Sequence, residues 1–357
     1  MELSLCMIVK DEEKRLSTCL ESVKDVVDEI VIADTGSTDA TKEIAARYTE
    51  RTLDVPWADD FAAARNASME AATKPFILWL DADDVIDPPE CEKLMALKAR
   101  LSEEVDAVMM PYHYAFSADG RPSLVFDRER IVRRAAGFRF AGAVHEAMAV
   151  HGNVIREEIA VRHTGSHAES SNRRNLAIYR RLLARGAKMT ARDWYYYARE
   201  LKNAGEYEAA VNAFDAFLTM DGWIENRLDA YIRKGECHLA LGDAQKAKAA
   251  YLAAMTHGAP RAEALCAMGE CLLSAGDLPA AAFWYRAALQ CDLPKDHRAF
   301  VFPDAYGYVP LMQLCVIYDR MGDPVRASRM NEQALLLHPG DAGALSNRAY
   351  FARRLEK

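Results

Sequence analysis

Apolar and polar positions change rhythm once along the chain. Up to about residue 165 short apolar runs alternate with amphipathic stretches; beyond about residue 193 only a helical rhythm continues. Leu3-Ser4-Leu5-Cys6-Met7-Ile8-Val9 is strand-like, and Leu16, Cys19, Leu20 and Val23 follow at spacings of three and four, one face of a helix. Glu29 to Ala33 predicts a second strand, with a helix from Ala40 to about Tyr48. A further helix opens near Trp57 and ends near Ala72. Phe76 to Leu80, five apolar residues bounded by Pro75 and by charge, suits a strand buried on both faces. Such alternation predicts a parallel sheet. A helix from Pro89 to Leu101 then leads to strands Val105 to Phe116 and Leu124 to Val132, joined across the hairpin turn Ser117-Ala118-Asp119-Gly120.

In the alanine-rich second half glycine recurs in one context. Asn203-Ala204-Gly205-Glu206, Ala240-Leu241-Gly242-Asp243, Ser274-Ala275-Gly276-Asp277 and Arg320-Met321-Gly322-Asp323 each stand between two helical patterns. Gly242 and Gly276 lie 34 positions apart, the tetratricopeptide period. Gly276 and Gly322 lie 46 apart, which places an insertion of 12 within Cys291 to Tyr308. Four helix pairs and a terminal helix, Ala342 to Leu355, are enough to stack into a solenoid with a concave surface.

Chemistry collects at strand ends. Asp81, Asp83 and Asp84 close the Phe76 strand, and an Asp-x-Asp pair there either holds a hard divalent cation against phosphate oxygens or forms a solvated turn that caps the next helix. Asp34 ends its own strand before Gly36, where it either meets a ligand or serves the turn. Arg65 and Asn66 sit among alanines, facing either phosphates or solvent. His145-Glu146 follows an apolar, glycine-containing segment and by itself is not a catalytic signature.

Composition narrows the choice. With 45 basic and 53 acidic residues the net charge is −8, which disfavours a broad nucleic-acid surface or an anionic-membrane surface. No apolar run reaches the length of a membrane span, and Leu3 to Val9 is cut short by Lys10-Asp11-Glu12-Glu13, too soon for a signal peptide. A cytoplasmic location is expected. The eight cysteines contain no Cys-x-x-Cys pair and read as reduced core residues.

In order, Met7-Ile8-Val9-Lys10-Asp11-Glu12-Glu13, Glu29 to Asp39 with Asp34-Thr35-Gly36-Ser37, Asp60 to Asn66, and Asp81-Ala82-Asp83-Asp84 resemble the family-2 glycosyltransferases of GT-A fold over the first ~165 residues. The resemblance implies a nucleotide-sugar donor bound by Val9, Lys10, Glu12, Asp34, Gly36, Arg65, Asp81, Ala82 and Asp83, with Asp34 on the base. It also implies Mn2+ or Mg2+ on Asp81, Asp83 and His163, with His167 as the alternative to His163. Glu146, beside His145, would be the general base of an inverting transfer, with Asp84 as a rival carboxylate. Asp11 departs from the asparagine common in related chains.

The expectation is thus an α/β GT-A domain (Rossmann-like, 1–165), a helical connector with a solvated basic face (166–192) and an all-α tetratricopeptide-repeat domain (193–357). Its reaction is metal-dependent sugar transfer from a nucleotide-sugar, with a peptide or protein side chain as acceptor and a glycan or lipid-linked acceptor as the rival. The repeats are also an expected surface for a homodimer. From a different class, the chain is a scaffold with an inactive nucleotide-sugar fold that works through its repeats.

Overall fold

The computed structural model describes residues 1–117, 120–165, 169–257, 260–294 and 301–356. The chain forms two compact units, residues 1–115 with 125–187, and 116–124 with 188–357.

In the first unit the strands are β1 (Leu3–Val9), β2 (Glu29–Asp34), β3 (Thr52–Asp54), β4 (Phe76–Trp79), β5 (Asp84–Val85), β6 (Ala107–Phe116), β7 (Pro122–Arg133), β8 (Phe140–Ala141), β9 (Ala147–Met148), β10 (Val154–Arg156) and β11 (Val161–His163). The helices are α1 (Leu16–Val23), α2 (Thr41–Ala45), α3 (Phe61–Glu70), α4 (Pro88–Arg100) and α5 (Glu169–Ala184). Among the described residues the main sheet runs β3-β2-β1-β4-β7-β6-β11-β5, with β10 also paired to β6. Its first four strands are parallel, and β7 turns antiparallel against β4. This is the mixed sheet of a GT-A-like domain. The parallel half places the ends of β1, β2 and β4 side by side, where ligands collect in open α/β sheets.

β4 sits at the centre because all four of its side chains are buried. Trp79, Ile77 and Val132 pack with Ala62 and Met69 of α3 and with Phe138, Phe140 and Met148. That core fixes α3 and the β8–β9 ribbon over the carboxyl end of β4. Asp60 caps α3 by accepting from the Ala63 amide at 2.9 Å. α2 covers five residues, shorter than the Ala40 to Tyr48 pattern predicts. Beyond it the chain turns towards β3, a three-residue strand too brief for any periodic signal.

The second unit pairs α6 (Ala191–Asn203) with α7 (Tyr207–Leu218), α8 (Ile224–Ala240) with α9 (Ala244–Ala254), α10 (Ala262–Ser274) with α11 (Leu278–Ala288), and α12 (Tyr308–Arg320) with α13 (Pro324–Leu337), followed by α14 (Ala342–Leu355). Each pair turns on a glycine with φ between 77° and 80°, where a side chain would be strained. In three of the four the next residue, Asp243, Asp277 or Asp323, caps the second helix. Gly235 and Gly269, also 34 apart, let the helices of a pair close up: a methyl group on Gly235 would lie 2.2 Å from the Tyr251 ring. Residues 289–307 join α11 to α12 where 255–261 join α9 to α10, twelve more, so the extra length falls where the glycine spacing places it. No described helix is long and apolar enough to cross a membrane.

Candidate active site

The first wall of the site is built by two turns laced together. Asp11 adopts φ 53°, a conformation short polar residues tolerate, and its carboxylate accepts from the Thr38 amide at 2.7 Å. The Glu12 amide donates to Thr41 Oγ1 at 2.7 Å, and the Asp11 amide to Ser37 Oγ at 3.0 Å. Below them Asp34 is buried, and its Oδ1 accepts from the Gly36 and Ser37 amides, each at 2.9 Å. Burial pushes this carboxyl up, but the hydrogen bonds from Ser37 and Gly36 outweigh it and hold the group below its ordinary range. Its other oxygen, Oδ2, is buried without a partner among the described residues. Val9 contributes its carbonyl inward, taken by the Thr35 amide and hydroxyl at 2.9 and 3.1 Å. Lys10 is exposed and Ala82 buried.

At the end of β4 the three aspartates take different partners. Asp84 is fully buried and accepts from the Tyr112 hydroxyl at 2.8 Å, Arg130 Nη1 at 2.9 Å and the Asp81 amide at 3.0 Å. Burial raises its pKa above the ordinary value against the pull of Arg130. Both Asp84 oxygens thus hold the turn together. Asp81 Oδ1 accepts from Arg65 Nη2 at 2.6 Å; burial pushes its carboxyl up, and the guanidiniums of Arg65 and Arg130 hold it down overall.

Asp83 faces His163, with Oδ1 3.5 Å from Nδ1. Burial lowers the imidazole pKa, and the Asp83 carboxylate more than reverses this. His163 also lies 3.1 Å from the Tyr112 hydroxyl and stacks on Tyr114. The Asp83 carbonyl accepts from both the amide and hydroxyl of Thr164, which ties the end of β11 to this turn. Glu12 lies close enough for Asp83 to help raise its pKa, after the larger effect of burial.

Ligand atoms of Asp83, Asp84 and His163 all lie within 4.8 Å of one another. Two carboxylates and an imidazole are a donor set for a divalent cation. Gly165 keeps the place open: a methyl group there would sit 2.2 Å from Asp83 Oδ2 and 2.9 Å from His163 Nε2. The geometry thus gathers Asp84 beside Asp83 and His163, whereas Asp81, expected as a ligand, is engaged by Arg65. His167 lies outside the described residues.

Arg65 is the centre of the opposite wall. Its Nε donates to Glu146 at 2.5 Å while Nη2 holds Asp81, so one buried guanidinium bridges the two carboxylates. The rings of Trp79 and Phe140 lie 4.9 and 5.3 Å from it. Glu146 is turned inward by a backbone that passes through Gly142 at φ 101° and His145 at φ 53°. Asn66, next to Arg65, serves the fold instead: its carboxamide exchanges two hydrogen bonds with the Phe140 backbone.

Arg130, Arg128, Tyr112 and Trp79 are the site-forming residues that motif reading passed over. The one signal was Asp127-Arg128-Glu129-Arg130, four charges in succession inside an otherwise apolar strand. Arg128 and Arg130 lie 4.7 and 4.2 Å from the Trp79 ring. In α5, Arg181 binds Asp59 at 2.7 and 2.8 Å and Arg174 stacks on Phe61, so these two basic residues grip the start of α3 and are not merely solvated.

Fold and motifs define a GT-A-like domain carrying helical repeats. Residues 4–158 match the model of glycosyl transferase family 2, and residues 228–256 match a tetratricopeptide repeat. Similar curated proteins include a TPR repeat-containing protein of Synechococcus elongatus, 41% identical over 36% of this chain and 34% of its own length. The glycosyltransferase SunS of Bacillus subtilis is 29% identical over 58% of this chain and 50% of its own. The lipopolysaccharide core biosynthesis glycosyltransferase LpsC of Rhizobium meliloti is 31% identical over 43% and 59%. The chain thus spans less than two thirds of the length of these relatives. Among solved structures, MamA aligns with 44% of this chain and 84% of its own at 18% identity and a TM-score of 0.36. The resemblance carried by the motifs holds: a family-2 glycosyltransferase domain is followed by tetratricopeptide repeats.

Proposed function

We propose that the chain is a metal-dependent, inverting glycosyltransferase that moves a sugar from a nucleotide-sugar to a side chain of a polypeptide. The observation that carries this reading is the Arg65 bridge, which holds Glu146 and Asp81 on one buried cation a short step from the Asp83–His163 pair. Asp34, with its unpaired Oδ2, receives an N–H of the donor's base. The Asp11–Thr38 and Glu12–Thr41 lacing shapes the turn that faces the nucleotide. Asp83 and His163, with Asp84 or Asp81, hold Mn2+ or Mg2+, which when bound offsets negative charge on the leaving diphosphate.

Glu146 accepts the proton of the acceptor hydroxyl or thiol as that atom bonds to the anomeric carbon. The bond from the anomeric carbon to the diphosphate oxygen breaks, and its electron pair leaves with the nucleoside diphosphate. Arg65 keeps the Glu146 carboxylate oriented and lends positive charge to the same corner. Helical repeats beside such a domain favour an acceptor that is itself a chain, since a solenoid can hold a polypeptide while one side chain reacts.

The test is calorimetry of a panel of nucleotide-sugars, with and without Mn2+, on the wild type and Asp83→Ala. One donor should bind in a metal-dependent manner and lose that dependence in the variant. Binding of none by the folded protein would transfer the weight to a scaffold acting through its repeats. Transfer to glycans alone would leave the site reading and remove the polypeptide acceptor.

A further inference from the structure

Three guanidiniums gather on the ring of Trp79, and two of them are committed. Arg130 is fully buried on Asp84 and the Trp79 carbonyl, and Arg65 is divided between Glu146 and Asp81. Arg128, 4.7 Å from the ring centroid, differs. Its guanidinium makes one hydrogen bond among the described residues, from Nη2 to Glu129 Oε1 at 3.5 Å, the outer limit for such a bond. Its side chain is 22% exposed, against 9% for Arg65 and none for Arg130. Most of the N–H donors of this one guanidinium therefore remain available to a ligand.

Its position says which part of a ligand it meets. Glu129 Oε1 also accepts from the Met148 amide at 3.4 Å, and the Trp79 indole donates to the Glu129 carbonyl at 2.5 Å. Arg128 is thus held between the ring that ends β4 and the strand β9, which begins at the residue after Glu146. Burial lowers its pKa, and the carboxylates of Glu129, Glu146 and Asp81 together reverse this. The guanidinium lies alongside the span from Asp81 to Glu146. In an in-line transfer the sugar ring fills the space between the metal-held diphosphate and the base, so a group alongside that span meets the sugar. A group beyond Glu146 would meet the acceptor. Charge narrows the choice further. Apart from the closed Asp84–Arg130 pair, the corner holds the carboxylates of Asp81, Glu129 and Glu146 against the guanidiniums of Arg65 and Arg128. A fourth carboxylate there would be repelled.

We propose that Arg128 donates hydrogen bonds to hydroxyl oxygens of the transferred sugar, and that this sugar is uncharged, not a uronic acid. The assignment rests on the transferase reading and adds to it the residue that selects the sugar.

The experiment is calorimetry on the full chain with Mn2+, using UDP, GDP and dTDP, each beside its hexose conjugate, and UDP-glucuronate as the charged donor. Arg128→Met should weaken binding of the neutral nucleotide-sugar about tenfold and leave the matching bare diphosphate unchanged. Removing Arg128 also strips the buried Glu129 of its cation, so a second variant separates the two roles. Arg128→Met combined with Glu129→Gln keeps an oxygen for the Met148 amide and leaves no unpaired charge. There the tenfold loss should persist while the melting temperature returns towards that of the wild type. Three results would overturn the assignment and leave the transferase reading standing: recovery of nucleotide-sugar binding in the double variant, equal weakening of diphosphate and conjugate, or a wild-type preference for UDP-glucuronate over the hexose donors. A wild type that binds no diphosphate and no conjugate would overturn both.

Discussion

Arg65 shows how much one side chain can do when it is buried between two acids. A guanidinium reaches Glu146 and Asp81 at once because its donors form a rigid fork; an ammonium cannot. Arg65→Lys should therefore fold, keep the charge, and reduce turnover about 100-fold through misplaced carboxylates. Arg65→Met, which leaves two acids facing each other, should cost about 3 kcal/mol. Urea unfolding and donor-hydrolysis rates read the two effects separately, and a lysine variant of normal rate would deny the bridge a role. Asp34 allows a second prediction. Asp34→Asn keeps the oxygen that the Gly36 and Ser37 amides need but replaces the unpaired Oδ2 with a donor. Nucleotide-sugar affinity should fall about tenfold while the melting temperature holds, as calorimetry and a thermal scan would show. Much of this corner was visible in sequence because Asp34, Asp83 and Glu146 stand in short motifs beside strands and Arg65 in a short motif inside α3. Arg130 and Tyr112 were not. Their pairing with Asp84 depends on the register of β7, β6 and the β4–β5 turn, and long-range register leaves no local pattern.

Elements were legible in proportion to their length. β1, β2 and β4 read as apolar runs and α1 as spacings of three and four, and the 34-residue recurrence marks the repeats even though no single helix is distinctive. β5, β8 and β9 are two residues each, below any periodic signal, yet β5 and β11 together bring His163 beside Asp83. The turn after β11 then matters as much as the strands. Gly165 has room for no side chain against Asp83 and His163. Gly165→Ala is expected to weaken Mn2+ binding about tenfold, by pushing the carboxylate and imidazole apart, with the helical and sheet content intact. Titration calorimetry with Mn2+ and circular dichroism test this; unchanged affinity would place the cation elsewhere.

At the scale of the whole chain the question is whether the repeats take part in the reaction or only accompany it. Stability in stacked repeats is close to a sum of neighbouring terms, so damage inside one pair stays within that unit. Gly235 offers such a lesion, since its missing side chain lets the Tyr251 ring approach and no catalytic group touches it. Gly235→Ala should cost the helical unit about 1–3 kcal/mol, and Gly269→Ala less, because its methyl group would meet Tyr285 at 2.8 Å, not 2.2 Å. Donor hydrolysis, whose proposed site lies in the first unit, should stay within about twofold in both. If the solenoid holds the acceptor, transfer to polypeptide falls in the same order as stability while hydrolysis does not, and the ratio of the two rates reports it. If transfer and hydrolysis fall together, the repeats support the fold of the catalytic domain. If neither changes although the helices have loosened, the acceptor is held by the first unit alone.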